Sequence, residues 1–178
     1  MSAIILLVAL VASAFFSGSE IAFLSANRLQ LEIDLKRKTI PFWVTHWMQH
    51  PQRFIVTMLV GNTLALVVVG AQTSQLLHPF LLKFMQVPLA VLTETLVSTI
   101  VVLFLAEYIP KALFREQANA AFKWVVVPSG IFYILFWPIT WLLGHFSAFI
   151  LRRLGADPQS APSARVFGLS DLNHLVDE

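Results

Sequence analysis

Glu20, Glu94, Glu107 and Lys111 lie inside stretches that are otherwise almost wholly apolar, and Asn62 lies deep inside another. Ser17 and Ser19 flank Gly18 in "FFSGSEIAF", where two hydroxyls, a glycine and a carboxylate interrupt a run of aliphatic and aromatic residues. Together these side chains supply two hydroxyls, an amide oxygen and one or two carboxylates. Such oxygens suit magnesium, calcium or sodium, and they do not suit zinc or copper. With no cysteine in the chain, disulfides and thiolate metal sites are excluded. No nucleophile–base pair occurs in a cleft-forming context, so an enzyme is not expected.

The surroundings of these residues are set by composition. The 178 residues are 57% hydrophobic and 12% charged, about half the charged fraction of a typical soluble domain, roughly 25%. An all-α integral membrane protein is expected, with the lipid bilayer as a partner and nucleic acid excluded. A membrane-crossing helix needs about 20 mostly apolar residues, and three segments meet that: roughly Ser2 to Ser25, Phe54 to Leu82 and Val87 to Phe114. Ala12-Ser13-Ala14 resembles a signal cleavage site, but no Lys or Arg precedes the apolar run, so a retained first helix is the better reading. Arg28, Lys36, Arg37, Lys38 and Arg53 lie between the first two spans, and Lys111, Arg115 and Lys123 follow at the end of the third. Because Lys and Arg mark the cytoplasmic side, the N-terminus is expected outside and the C-terminus in the cytoplasm of a multi-pass cell (inner) membrane protein.

Depth brings the polar residues together. Asn62 is nine residues from Arg53, Glu107 eight from Arg115, and Ser17 and Ser19 eleven and nine from Arg28. At about 1.5 Å per helical residue, all lie roughly 12–17 Å from the inner boundary, near the middle of a hydrocarbon core about 30 Å thick. Pro110 cannot donate to the carbonyl of Ala106, which predicts a free acceptor beside Glu107. Gly18 and Gly61 permit irregular backbone, and discontinuous helices are a recurring way to hold cations at this depth; "SGSE" is expected to break the first helix. Two readings stand beside each other. Ser17, Ser19, Asn62, Glu107 and the Ala106 carbonyl hold a cation, with Glu20 and Lys111 as gate or charge partner. Alternatively, the stripe Ala14, Gly18, Ala22 and Ala26 and the pair Gly61 and Ala65 only let helices pack, Asn62 bonds across helices and Glu107 pairs with Lys111. Glu94, near the outer end of its span, is expected to face water.

Ala120 to Leu151 is apolar but begins next to Lys123, ends at Arg152-Arg153 and contains Pro128 and Pro138. Both prolines are candidate break points, which predicts a re-entrant or interfacial helix pair at the inner leaflet; the alternative is a fourth, kinked crossing. Thr39 to Arg53 suits the membrane surface, with Trp43 and Trp47 four apart as anchors and His46 and His50 as a polar face. From Gly155, "GADPQSAPSARVFG" reads as a linker and "LSDLNHLVDE" as the start of another helix. The domains expected are therefore 1–154 in the membrane and 155–178 beyond it.

Three motifs carry a family resemblance: "FFSGSEIAFLSANRLQLE", "MLVGNTL" (58–64) and "AEYIPKALF". In that order they resemble the SGSE-x-A, GN-x-L and GE-x-x-PK patterns of the CNNM/CorC membrane domain, and the similarity runs from Met1 to about Leu154. The resemblance implies a homodimer of three-span protomers with helices at the inner face, magnesium transport as a sodium-coupled exporter, and a cytosolic CBS-pair module where the linker here leads. It also implies a bound cation held by the first-motif serine, second-motif asparagine and third-motif glutamate, here Ser17 or Ser19, Asn62 and Glu107. Two departures bear on ion choice and affinity: Leu66 stands where many members have a second asparagine, and Ala106 where they have glycine.

Overall fold

The first helix, α1 (Ser2–Ser25), runs unbroken through Ser17-Gly18-Ser19-Glu20. This corrects the expectation that "SGSE" breaks it. The small residues here serve close packing instead: a Cβ at Gly18 would come 2.8 Å from the Phe114 ring, and one at Gly61 2.5 Å from the Phe16 ring. The structure is a computed structural model and describes residues 1–153; the expected linker and following helix at 155–178 lie outside the described residues. After α1 come α2 (Arg28–Lys36), α3 (Val44–Gln49), α4 (Pro51–Leu81), α5 (Val87–Val101), a π-helical turn (Val102–Tyr108), α6 (Ile109–Glu116), α7 (Ala118–Leu135) and α8 (Trp137–Arg153). No strand occurs among the described residues. Helices satisfy their backbone groups internally, which an apolar solvent demands.

Four helices are long and apolar enough to cross a membrane: α1, α4, the continuous Val87–Glu116 helix made of α5, the π turn and α6, and α7. Of the two prolines expected to break the fourth stretch, only one marks a break. Pro128 sits inside α7 without ending it, whereas the chain turns at Phe136 and α8 starts with Pro138 in its first turn, where a missing N–H removes no helical bond.

Two compact units divide the chain, Met1–Thr140 and the part from Trp141 on. In the first, α1, α3, α4 and α7 share an aromatic core. Phe23 and Trp47 each lie 4.6 Å (ring centroids) from Phe54, and Phe16 lies 4.8 Å from Phe132. Trp47 is only 2% exposed, so it is a core residue and not the surface anchor its spacing suggested; Trp43 keeps the exposed position. In the second unit, α8 sets the Trp141 ring 4.0 Å from that of His145, and the Arg153 guanidinium lies 5.5 Å from the Phe149 ring centre.

One ion pair ties the hydrophilic α2 to α7. Lys123 Nζ lies 2.9 Å from both carboxylate oxygens of the buried Asp34 and donates to Oδ1. That hydrogen bond holds the Asp34 carboxyl below the usual carboxylate range, against burial, which pushes it up, and with help from Thr39. A carboxyl depressed on folding stabilises fully above its unfolded value of about 3.9 and loses that contribution as pH falls through the lower folded value. Thermal unfolding in detergent across pH 2.5–7 is therefore expected to show a falling acid limb that Asp34→Asn flattens, with the variant less stable at neutral pH. An identical acid limb in both proteins would refute the assignment.

Candidate cation site

The middle of α1 faces the π turn and α4 with a polar stripe. Ser13, Ser17 and Glu20 follow the i, i+4, i+7 repeat of one helix face, whereas Ser19 lies roughly 160° round the helix from Ser17. Ser13 Oγ donates to Asn62 Oδ1 at 2.6 Å and approaches the Ala106 carbonyl at 3.4 Å. Asn62 Nδ2 in turn reaches Glu107 Oε1 at 3.5 Å. Lys111 Nζ stands 3.7 Å from the same carboxylate oxygen, one turn on. Glu20 lies within electrostatic reach of both Glu107 and Lys111. Ser13 and Asn62 are buried, and Glu107 and Lys111 are partly exposed.

The π turn is what brings Ala106 and Glu107 to this point. Pro110 removes the N–H that the Ala106 carbonyl would receive in an α-helix. The chain responds by winding 102–108 wider, with the Ile109 N–H bonded to the Phe104 carbonyl five residues back. Single π turns inside α-helices recur at functional sites.

Ser17 Oγ and Ser19 Oγ are buried and have no hydrogen-bond partner among the described residues. An unsatisfied buried hydroxyl costs about 1–3 kcal/mol, so each needs an explanation. A cation beside Ser17 would supply one, since Asn62, Glu107 and the Ala106 carbonyl converge on the face that Ser17 shares with Ser13. No group of three or more His, Cys, Asp or Glu side chains able to hold a metal occurs among the described residues. The donor set is one or two carboxylates with several neutral oxygens, which suits a hard cation.

Residues 4–178 match the family described as CNNM, the Cyclin M transmembrane N-terminal domain. The chain belongs to this family. It is also 31% identical over 147 residues to the UPF0053 inner membrane protein YfjD of Escherichia coli (strain K12), an alignment covering 80% of this chain and 32% of that protein. The chain thus spans about a third of the length of the curated relative it matches.

In this CNNM domain, Asn62 and Glu107, two of the four residues expected at one depth, are in contact, Ser13 links Asn62 to the Ala106 carbonyl, and Lys111 and Glu20 stand close by. Two features escaped the sequence reading. Ser13, noticed there only as part of a cleavage-like triplet, is the direct partner of Asn62; its spacing of four from Ser17 was the available signal. Glu94 does not simply face water: it is 6% exposed, receives a bond from Ser74 Oγ at 2.8 Å and contacts His78 Nδ1 at 2.5 Å. The i, i+4 pair Ser74 and His78 on α4 explains that burial.

Opposite outcomes are expected at the two serines. Ser13→Ala leaves Asn62 Oδ1 without its donor and should lower stability by about 1–3 kcal/mol. Ser17→Ala removes a hydroxyl that has no partner, and in cation-free buffer it should be neutral or stabilising while weakening cation binding. Melting in detergent with chelator, then with added magnesium, separates the two; equal destabilisation by both would contradict the assignment.

Proposed function

We propose that this CNNM domain carries magnesium across the membrane, binding a largely dehydrated ion among α1, α4 and the π turn and exporting it in exchange for sodium. The observation that supports this reading is the contact of Ser13 with Asn62 and the Ala106 carbonyl and of Asn62 with Glu107, one helical turn along α1 from the unpartnered buried hydroxyl of Ser17. Magnesium releases its water reluctantly and demands nearly octahedral oxygen ligation at about 2.0–2.1 Å. A site for it must replace lost water with fixed oxygens, and the Glu107 charge offsets part of the dehydration. Lys111 is well placed to hold that carboxylate when the ion leaves. In this reading α1, α4 and the Val87–Glu116 helix are the three crossings, Ala120 to Leu151 forms a re-entrant or interfacial pair, the N-terminus is outside, and the working unit is a homodimer with a cytosolic CBS-pair module.

The second reading is a non-transporting sensor or scaffold, in which the same ion is structural and small-residue stripes make the dimer. The packing favours the first: Gly18 and Gly61 are covered by Phe114 and Phe16 of the same chain, so at least these two glycines are already used within the protomer. Flux decides between them. Proteoliposomes loaded with magnesium and an indicator dye should show sodium-gradient-dependent magnesium movement, absent in Glu107→Gln. Binding without any flux in either gradient direction would support the sensor instead.

A further inference from the structure

A groove of about 400 Å³ opens between the α3 segment and the second half of α7. Trp43, His46 and Trp47 line one side, and Gly130, Tyr133 and Ile134 the other. Its walls are almost entirely carbon. Gly130 makes room for one wall, because the Trp43 indole nitrogen would lie 3.2 Å from a Cβ at that position. The volume falls within the range of small-molecule sites, about 300–1,000 Å³. Trp43 and Ile134, 38% and 76% exposed, are left open on it.

An apolar groove on a membrane protein does not by itself select an occupant, since lipid tails are as apolar as the walls. The rim does. The rings of His46 and His50 stand 4.9 Å apart, and His46 packs 6.3 Å from the Tyr133 ring. Arg53 lies within electrostatic reach of the Tyr133 hydroxyl. These three cationic or protonatable side chains are exposed, and none has a carboxylate partner among the described residues. Trp and Tyr favour the headgroup level, so a rim of this composition suits the level of lipid phosphates. Basic pockets beside membrane helices bind anionic headgroups, each Lys or Arg contributing about 1 kcal/mol near the surface.

We propose that the groove is a binding site for an anionic phospholipid, one acyl chain lying between Trp43 and α7 and the headgroup phosphate on Arg53, with His46 and His50 at its edge. Selection comes from the charged rim, and the groove fixes where the chain lies. The site is separate from the Asn62 and Glu107 cluster and does not depend on its reading.

Two of the five tryptophans line the groove, so they report on it directly. With Trp124, Trp137 and Trp141 changed to Phe, the full chain is placed in phosphatidylcholine vesicles containing small amounts of lipid brominated on its acyl chains. Brominated phosphatidylglycerol is expected to quench Trp43 and Trp47 saturably, at a several-fold lower mole fraction than brominated phosphatidylcholine. Arg53→Gln should cut that preference about fivefold, the equivalent of about 1 kcal/mol. Gly130→Leu should remove the saturable component. Arg53 is exposed, so its variant keeps the test valid if Gly130→Leu fails to fold. Equal quenching by the two lipids, unaltered by Arg53→Gln, would overturn the proposal and leave only solvating lipid. Absence of quenching by either would also overturn it, and would point to a second copy of the chain covering the groove.

Discussion

Glu107→Gln is expected to abolish stabilisation by magnesium while leaving the cation-free protein nearly unchanged. A ligand that binds only the folded state stabilises by RT ln(1 + [L]/Kd), about 2.7 kcal/mol at a hundred times Kd. The amide keeps the shape and one acceptor oxygen, so the contact with Asn62 at 3.5 Å can persist. What it loses is the negative charge that, in the proposed site, would face a divalent ion in a place water cannot fully reach. The pair with Lys111 is partly exposed and long, at 3.7 Å, and such pairs are worth about 0–1 kcal/mol. A drop in magnesium affinity of about a hundredfold or more is therefore expected against a change in basal stability below about 1 kcal/mol. Melting in detergent, with chelator and with millimolar magnesium, reads both at once. Wild-type stabilisation that survives in Glu107→Gln would remove this carboxylate from the site.

Gly61→Ala should be the most disruptive small substitution in the chain. Its methyl would lie 2.5 Å from the Phe16 ring. That ring cannot swing aside easily, because Phe15, Phe132 and Phe136 lie 5.4, 4.8 and 6.0 Å from it. Overpacking of this kind costs about 1–3 kcal/mol. Moving α4 away from α1 would also pull Asn62 from Ser13, so weaker cation binding should accompany the lost stability. Gly144→Ala is the control: nothing lies within 4 Å of a Cβ there, and replacing a mid-helix glycine should gain up to about 1 kcal/mol. Unfolding in a denaturing detergent, compared across the three proteins, checks the order. Equal stability of Gly61→Ala and wild type would mean that α1 and α4 do not pack as closely as described.

The parts of the fold that were legible in the sequence depended on length and periodicity. Long apolar runs marked α1 to the residue and the ends of α4 and the Val87–Glu116 helix to within three residues. Counting helical rises to the nearest basic residue placed Asn62 and Glu107 at one level, where they do meet. Tertiary packing overrode local signals elsewhere. Gly18 and its serines looked like a helix breaker, yet the Phe114 ring covers the glycine and the helix continues. Pro128 looked like a break equal to Pro138, but only the chain before Pro138 turns. Trp43 and Trp47 looked equivalent by spacing, and contacts with Phe54, Phe122 and Tyr133 set Trp47 apart. The π turn was half visible: Pro110 predicted a disturbed Ala106 carbonyl, but not the wider winding that accommodates it. Ser13 was missed because its only signal was the spacing of four from Ser17, and a small hydroxyl in an apolar run gains weight only once its partner on another helix, Asn62, is known.

Calorimetric titration of magnesium into the purified wild-type protein, with Asn62→Ala and Glu107→Gln alongside, tests the central claim most directly. Saturable binding of about one ion per chain in the wild type, lost or weakened at least a hundredfold in both variants, is the expected result. Wild-type affinity retained in both variants, or no heat of binding in a folded wild-type protein, would contradict a cation site among α1, α4 and the π turn.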